Sequence, residues 1–244
     1  MPPDIVATYN KDLRIEPFGQ KHLLEKFHFF TRDGGLFMAD EYLVTGGDYQ
    51  YYLDVYSVGC TTDGFYVDHG SDLEDSGASQ EDIVNTLLSL EMEDELATKL
   101  IGRIAYKDFN VYELDGTTVT AKQIKSAVIE QDYRGAGLAS NIYRMLTEKH
   151  GCLVCDNTQS ISGGSLWASS ILSIAEVRIY DTSSCRFIDV LGRMGLGRNG
   201  SVPWSCQTLT AQQIAEWGRA YNQQTCHHIV NVISRESLYR DYPD

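Results

Sequence analysis

Residues 124–146 set a strand, a glycine turn and a helix end to end, and that order restricts the fold more than any other stretch. Residues 124–129 form a mainly apolar run of strand length, which breaks at Glu130-Gln131-Asp132. A helical pattern begins at about Ala136, because Leu138, Ile142 and Leu146 recur at i, i+4 and i+8 and give the helix one apolar face. Between the two lies Arg134-Gly135-Ala136-Gly137, where two glycines let the backbone turn tightly and approach a ligand without Cβ clashes. The first N–H groups of a helix lack intrahelical partners, and the dipole makes that end positive. A strand, a glycine turn and a helix start therefore make a phosphate site from backbone alone. Arg134 adds a fixed positive charge beside it.

The surrounding pattern extends the unit. Residues 100–112 alternate as a strand, Leu114-Asp115-Gly116 makes a turn, and residues 117–129 return as the antiparallel partner. The helix is predicted to run to about Lys149, with a turn at Gly151, a strand over 152–155 and a second helix around 165–174. Parallel pairing of the strand ending at Ile129 with 152–155 requires the intervening helix as a right-handed crossover.

The run Asp132-Tyr133-Arg134-Gly135-Ala136-Gly137-Leu138-Ala139 resembles the pyrophosphate loop of the GNAT acyltransferase superfamily, written Q/R-x-x-G-x-G/A, with Asp132 at the first motif position. The resemblance covers roughly residues 100–182. It implies an α/β (α+β) fold: a mixed central sheet with splayed middle strands, flanked by helices. Residues 1–190 would form that domain and 191–244 a C-terminal extension packed on it. It further implies acetyl-CoA as co-substrate and no metal. Arg134, Gly135, Ala136, Gly137, Leu138 and Ala139 would hold the pyrophosphate. The backbone of Val128 and Ile129 would bind the thioester and pantetheine, and Asn157 would hydrogen-bond the pantetheine arm. Gln159-Ser160 and Gly163-Gly164-Ser165-Leu166-Trp167 also resemble acetyltransferase-like proteins of tailed phages.

Acyl transfer from this cofactor to a primary amine, by direct attack, needs a base for the amine proton and an acid for the departing thiolate. Glu130 ends the cofactor strand and Asp156 ends its neighbour, so both are candidate bases; a solvated or structural role is the competing reading for each. Where many family members carry a tyrosine acid, the spacing here puts Trp167, which has no useful proton to give. Tyr180, Ser160 and Ser165 stay open as substitutes, as does departure of the thiolate unprotonated. A second reading keeps the fold without catalysis: a binding or regulatory protein, phage-encoded and acting on a host partner.

Composition narrows the partners. A formal charge of −14 argues against nucleic acid, whose phosphates call for clustered Lys and Arg, and suits solubility or a cationic acceptor amine. The six cysteines show no small-domain spacing, and no signal peptide or membrane-spanning run is read. These features point to reduced thiols in a cytoplasm, the host's for a phage-encoded protein.

The remaining segments are read more coarsely. Residues 20–30 are expected as a short helix, 36–38 and 49–58 as strands, and 64–67 as a further strand. Nine carboxylates fall between Asp72 and Glu95, on an acidic loop and a helix carrying Ile83, Leu87, Leu90 and Leu96. A solvated face and the wall of an amine site are the two readings. Residues 176–180 and 185–190 read as a strand pair, and a helix starts at Thr210, which has capping-box spacing to Gln213. Gly195-Leu196-Gly197-Arg198-Asn199-Gly200 matches a dinucleotide motif by letter, but Pro203 prevents the helix it needs. Cys152-x-x-Cys155 lies in an apolar strand with no second pair, and Cys226-His227-His228 stands apart, so neither reads as a metal site.

Overall fold

The computed structural model describes residues 3–7, 13–113, 115–135, 137–225 and 228–239. The strands are β1 (Asp4–Val6), β2 (Gln20–Thr31), β3 (Gly35–Thr45) and β4 (Tyr51–Ser57), followed by helices α1 (Phe65–Asp75) and α2 (Gln80–Ser89). Next come β5 (Lys99–Tyr112), β6 (Thr118–Ile129), α3 (Leu138–His150), β7 (Cys152–Val154) and β8 (Thr158–Ser160). The chain continues through α4 (Ile161–Trp167), α5 (Ser170–Ile174), β9 (Arg178–Asp181), β10 (Arg186–Val190), α6 (Ala211–Trp217) and β11 (Ile229–Ser234). The fold is mixed α/β, built on a large and mostly antiparallel sheet with flanking helices. No described helix is long and apolar enough to cross a membrane.

Two compact bodies divide the chain. One holds residues 13–105 and 127–138; the other holds 1–12, 106–126 and 139–244. The long strands β5 and β6 contribute to both.

In the first body the hydrogen-bonded order is β5-β4-β3-β2. The expected helix over 20–30 is instead strand β2, paired antiparallel with β3 from Gln20↔Thr45 to Thr31↔Gly35. A bulge between Leu23 and Glu25 inserts one extra residue and breaks the two-residue alternation. The apolar positions Leu23, Leu24 and Phe27 consequently acquire a spacing that imitates a helix. The expected strand at 64–67 opens α1, because Gly64 turns left-handed (φ 71°) and Tyr66 packs with Phe30, Leu36, Val58, Ile83 and Leu87. Gly70 is required there: a Cβ would lie 2.2 Å from the Phe30 ring. Ser79 caps α2 by accepting the Asp82 N–H.

A row of charges crosses this sheet. Lys26 Nζ lies 3.5 Å from Asp40, Asp40 stands directly opposite Asp54, and Arg103 Nε donates to Asp54. Arg103 Nη1 also donates to the Leu13 carbonyl at 3.0 Å. Both Arg103 and Asp54 are buried. Two carboxylates face to face would repel; a cation at each end of the row neutralises them.

In the second body the order is β10-β9-β11-β7-β6-β5. β6 and β7 run parallel, while β7–β11, β11–β9 and β9–β10 are antiparallel. β11 therefore sits between β7 and β9, so residues 229–234, within the segment expected as an extension, lie inside the sheet. A small parallel sheet pairs β1 with β8 and continues through single bridges from Asp4 to Ser205 and from Ser205 to Asn222. Trp204 and Trp217, both fully buried, meet edge to face at 5.3 Å. The expected helix around 165–174 is two short helices, α4 and α5, broken at Ala168-Ser169. α6 has the anticipated capping box between Thr210 and Gln213 and ends at Gly218 in the left-handed region.

Candidate cofactor site

The loop after β6 is built from local backbone bonds. Glu130 N–H donates to the Ile101 carbonyl at 2.8 Å, ending the strand pairing, and residues 131–133 make one 3₁₀ turn. Tyr133 sets its ring edge against Phe37 at 6.2 Å, which anchors the turn to the sheet. Arg134 Nε donates to the Ile129 carbonyl at 2.9 Å, so the guanidinium is folded back over the strand end. Gly135 (φ 92°) and Gly137 (φ 70°) then take left-handed conformations, and α3 begins at Leu138. A Cβ on Gly135 would have no neighbour within 4 Å among the described residues, so the loop is open at that position. Gly102 serves the strand beneath: a Cβ there would lie 2.9 Å from the Val128 carbonyl oxygen.

Of the residues read as a site, this body contains Val128, Ile129, Glu130, Arg134, Gly135, Gly137 and Leu138. Val128 and Ile129 are half-buried, Glu130, Arg134, Gly135 and Gly137 are exposed, and Leu138 is buried. Ala136 lies outside the described residues.

The other body contains Ala139, Asp156, Asn157 and Tyr180. Ala139 is half-buried in the first turn of α3. β6 and β7 pair at Lys122↔Leu153 and Gln123↔Val154, and their ladder stops there. Beyond it the connection passes to side chains. Gln123 Nε2 donates to the Cys155 carbonyl at 3.2 Å and to Asn157 Oδ1 at 2.8 Å, and Lys125 forms an ion pair with Asp156. Asp156 Oδ1 also accepts the Asn157 N–H at 2.8 Å. Asp156 is thus a buried carboxylate already serving a cation and a turn. The sequence reading missed Gln123 and Lys125; the available signal was two long polar side chains two residues apart, and so on one face of the strand.

Tyr180 is buried and its hydroxyl accepts the Tyr112 N–H at 3.2 Å, while its ring meets Phe187 edge to face at 5.0 Å. Burial pushes its phenol pKa up. The nearby hairpin tip is held a second time, by Arg178 donating to both Glu113 oxygens at 3.0 and 2.9 Å. Tyr180 thus packs the sheet and pins a hairpin. Trp167 is buried against Tyr143, with ring centroids 5.9 Å apart.

The thiols of Cys152 and Cys155 are both pushed up to about 12 by burial, so each stays protonated and non-nucleophilic near neutral pH. Among the described residues no group of three or more His, Cys, Asp or Glu stands together as a metal site; Cys226 and His227 lie outside them. The glycine-rich run after β10 is a clamped loop. The Asp189 carboxylate accepts the N–H groups of Val190, Asn199 and Ser201, and a Cβ on Gly197 would fall 2.2 Å from it.

No protein-family model, no curated protein and no solved structure matches this chain.

Proposed function

We propose that the chain is an N-acyltransferase that moves an acetyl group from acetyl-CoA to a primary amine. The observation that carries this reading is the open bend at Gly135: two left-handed glycines between a strand end and a helix start, with an arginine folded beside them. Such a bend presents main-chain N–H groups to an anion, and the helix dipole reinforces them. The pyrophosphate of coenzyme A fits that donor set, with Arg134 as counter-charge. The short parallel ladder of β6 and β7, which ends after Gln123↔Val154, supports the expected parting of the two middle strands.

Bound acetyl-CoA supplies the activated thioester. The chain's part is to hold it by backbone, at Val128 and Ile129 and along the glycine turn, and to take the amine's proton. Glu130 is an exposed carboxylate at the end of the strand that carries Val128 and Ile129, and is assigned that base role. Direct attack, without an acyl-enzyme, is favoured by the protonated and buried state of Cys152 and Cys155. The surplus of carboxylates suits a cationic acceptor.

Calorimetry with acetyl-CoA tests the loop. Wild-type protein is expected to bind, and Gly135→Glu, which sets a charged side chain in a left-handed backbone position, is expected to weaken binding at least tenfold. Equal affinity in the two proteins removes the assignment.

A second reading, a coenzyme-binding protein without catalysis, is favoured by one set of contacts. Trp167 and Tyr180 are both buried, Trp167 packed on Tyr143 and Tyr180 on Phe187, so each serves the packing of its body. Release of free thiol from acetyl-CoA in the presence of a panel of amines separates the two. Binding with no release on any amine supports the second.

A further inference from the structure

A cavity of about 540 Å³ lies within the second body, in the size range of small-molecule sites. Its floor is aliphatic, made by Ile179 on β9, Ile188 on β10 and Ile229 on β11. Ile229 pairs with Asp181, two residues from Ile179, so these two side chains share one face of the sheet. The register of β10 on β9 steps from Phe187↔Tyr180 to Asp189↔Ile179, which makes Ile188 a bulged extra residue, 37 % exposed. A bulge re-aims a side chain, and here the re-aimed residue lines the cavity. The walls are residues 201–203 and 222–225, two irregular segments tied together by their own hydrogen bonds. Asn222 Nδ2 donates to the Val202 carbonyl at 2.6 Å, and the Asn222 N–H donates to the Trp204 carbonyl at 2.7 Å. Gln207 Nε2 donates to the Gln223 carbonyl at 2.9 Å. The walls are thus braced in advance, and little loop ordering is left for binding to do.

The lining carries no fixed charge. Among the described residues around the cavity there is no Asp, Glu, Lys or Arg, although the chain holds 34 acidic and 20 basic residues. Such a site disfavours an ion, which would leave water and meet no counter-charge. Beside the aliphatic floor stand neutral hydrogen-bonding residues, the exposed Gln223 and Thr225. A carboxamide offers a donor and an acceptor side by side, the same pair that a peptide group presents in reverse. No described Phe, Tyr or Trp lines the cavity, so a sugar ring has no stacking face there. We infer that the cavity binds an uncharged aliphatic amide: a leucine-like side chain on the three isoleucines, with its flanking peptide group at Gln223 and Thr225. An aliphatic residue inside a peptide segment, away from either terminus, has that chemistry. The site uses no residue of the glycine loop, so it stands or falls apart from the coenzyme reading.

The test is an NMR titration of the full chain with N-acetyl-leucinamide. Three controls accompany it: leucinamide, which adds an ammonium; N-acetyl-leucine, which adds a carboxylate; and methyl glucoside, which is neutral but lacks the aliphatic chain. The neutral amide is expected to bind with roughly millimolar affinity, as suits about a dozen heavy atoms, and each control about tenfold more weakly. Ile188→Glu sets a carboxylate at the cavity; it should weaken the neutral amide about tenfold and make leucinamide the better ligand. The exposed Gln223→Ala should weaken the neutral amide about fivefold, and it decides alone if Ile188→Glu fails to fold. Absence of binding by the neutral amide, equal binding of all four compounds, or tightest binding of methyl glucoside overturns the inference. So does binding that neither variant alters, because the amide then sits elsewhere.

Discussion

Arg103 shows how much one side chain carries. It is buried with Asp54, and its removal leaves a carboxylate in the sheet opposite a second carboxylate, Asp40. Breaking a buried pair from one side is far more damaging than replacing both members. Arg103→Met is expected to lower stability by about 3–5 kcal/mol, and Arg103→Met with Asp54→Leu to recover most of the loss, as read from urea midpoints. Asn231 predicts the opposite sign. It is fully buried in β11, with neither amide atom hydrogen-bonded. Asn231→Leu, of similar volume and without polar atoms, should raise stability by roughly 1–3 kcal/mol in the same assay. A drop instead would mean that the amide holds a partner such as an internal water.

Among the elements, those with an undisturbed period could be read in advance and those with a long-range cause could not. α3 was legible because Leu138, Ile142 and Leu146 keep a four-residue rhythm between a glycine turn and Gly151. α6 was legible because Thr210 and Gln213 state their cap in the local sequence. β2 was not: its bulge at Leu24 scrambles the alternation, and only pairing with β3 decides its conformation. β11 escaped notice, since a short run of apolar residues interrupted by Asn231, close to Cys226-His227-His228, says nothing about insertion between β7 and β9. The same limit applied at the site. The glycines and Arg134 were readable as a local motif, whereas the links from Gln123 and Lys125 to the end of β7 depend on strands distant in sequence. The α6 cap gives a direct check: Thr210→Ala should cost about 1 kcal/mol, because it leaves the Gln213 N–H without its acceptor. Thermal denaturation would detect it, and Thr210→Ser should restore most of the difference.

For the whole molecule, the buried thiols make stability fall at alkaline pH. An exposed thiol ionises near its ordinary value of 9, while Cys152 and Cys155 in the folded chain do so only at about 12. Above 9 the unfolded chain sheds these protons and the native one keeps them, so unfolding becomes progressively easier as pH rises towards about 12. Below 9 the two states bind the same number of protons at these sites, and their contribution is fully present. Denaturant midpoints should hold steady from neutral pH to about 9 and then decline, and Cys152→Ala with Cys155→Ala should flatten the decline. Native-state alkylation should follow exposure: among the described thiols Cys185 reacts first, and Cys152 and Cys155 react only on opening.

The place of β11 bears on how the polypeptide is made. Every other strand of its sheet leaves the ribosome earlier, so β7 and β9 wait side by side with unsatisfied edges until residues 229–234 arrive. Maturation of that half must therefore wait until residues 229–234 have emerged. A nascent chain halted before residue 229 should be seized by chaperones or aggregate through those two waiting edges.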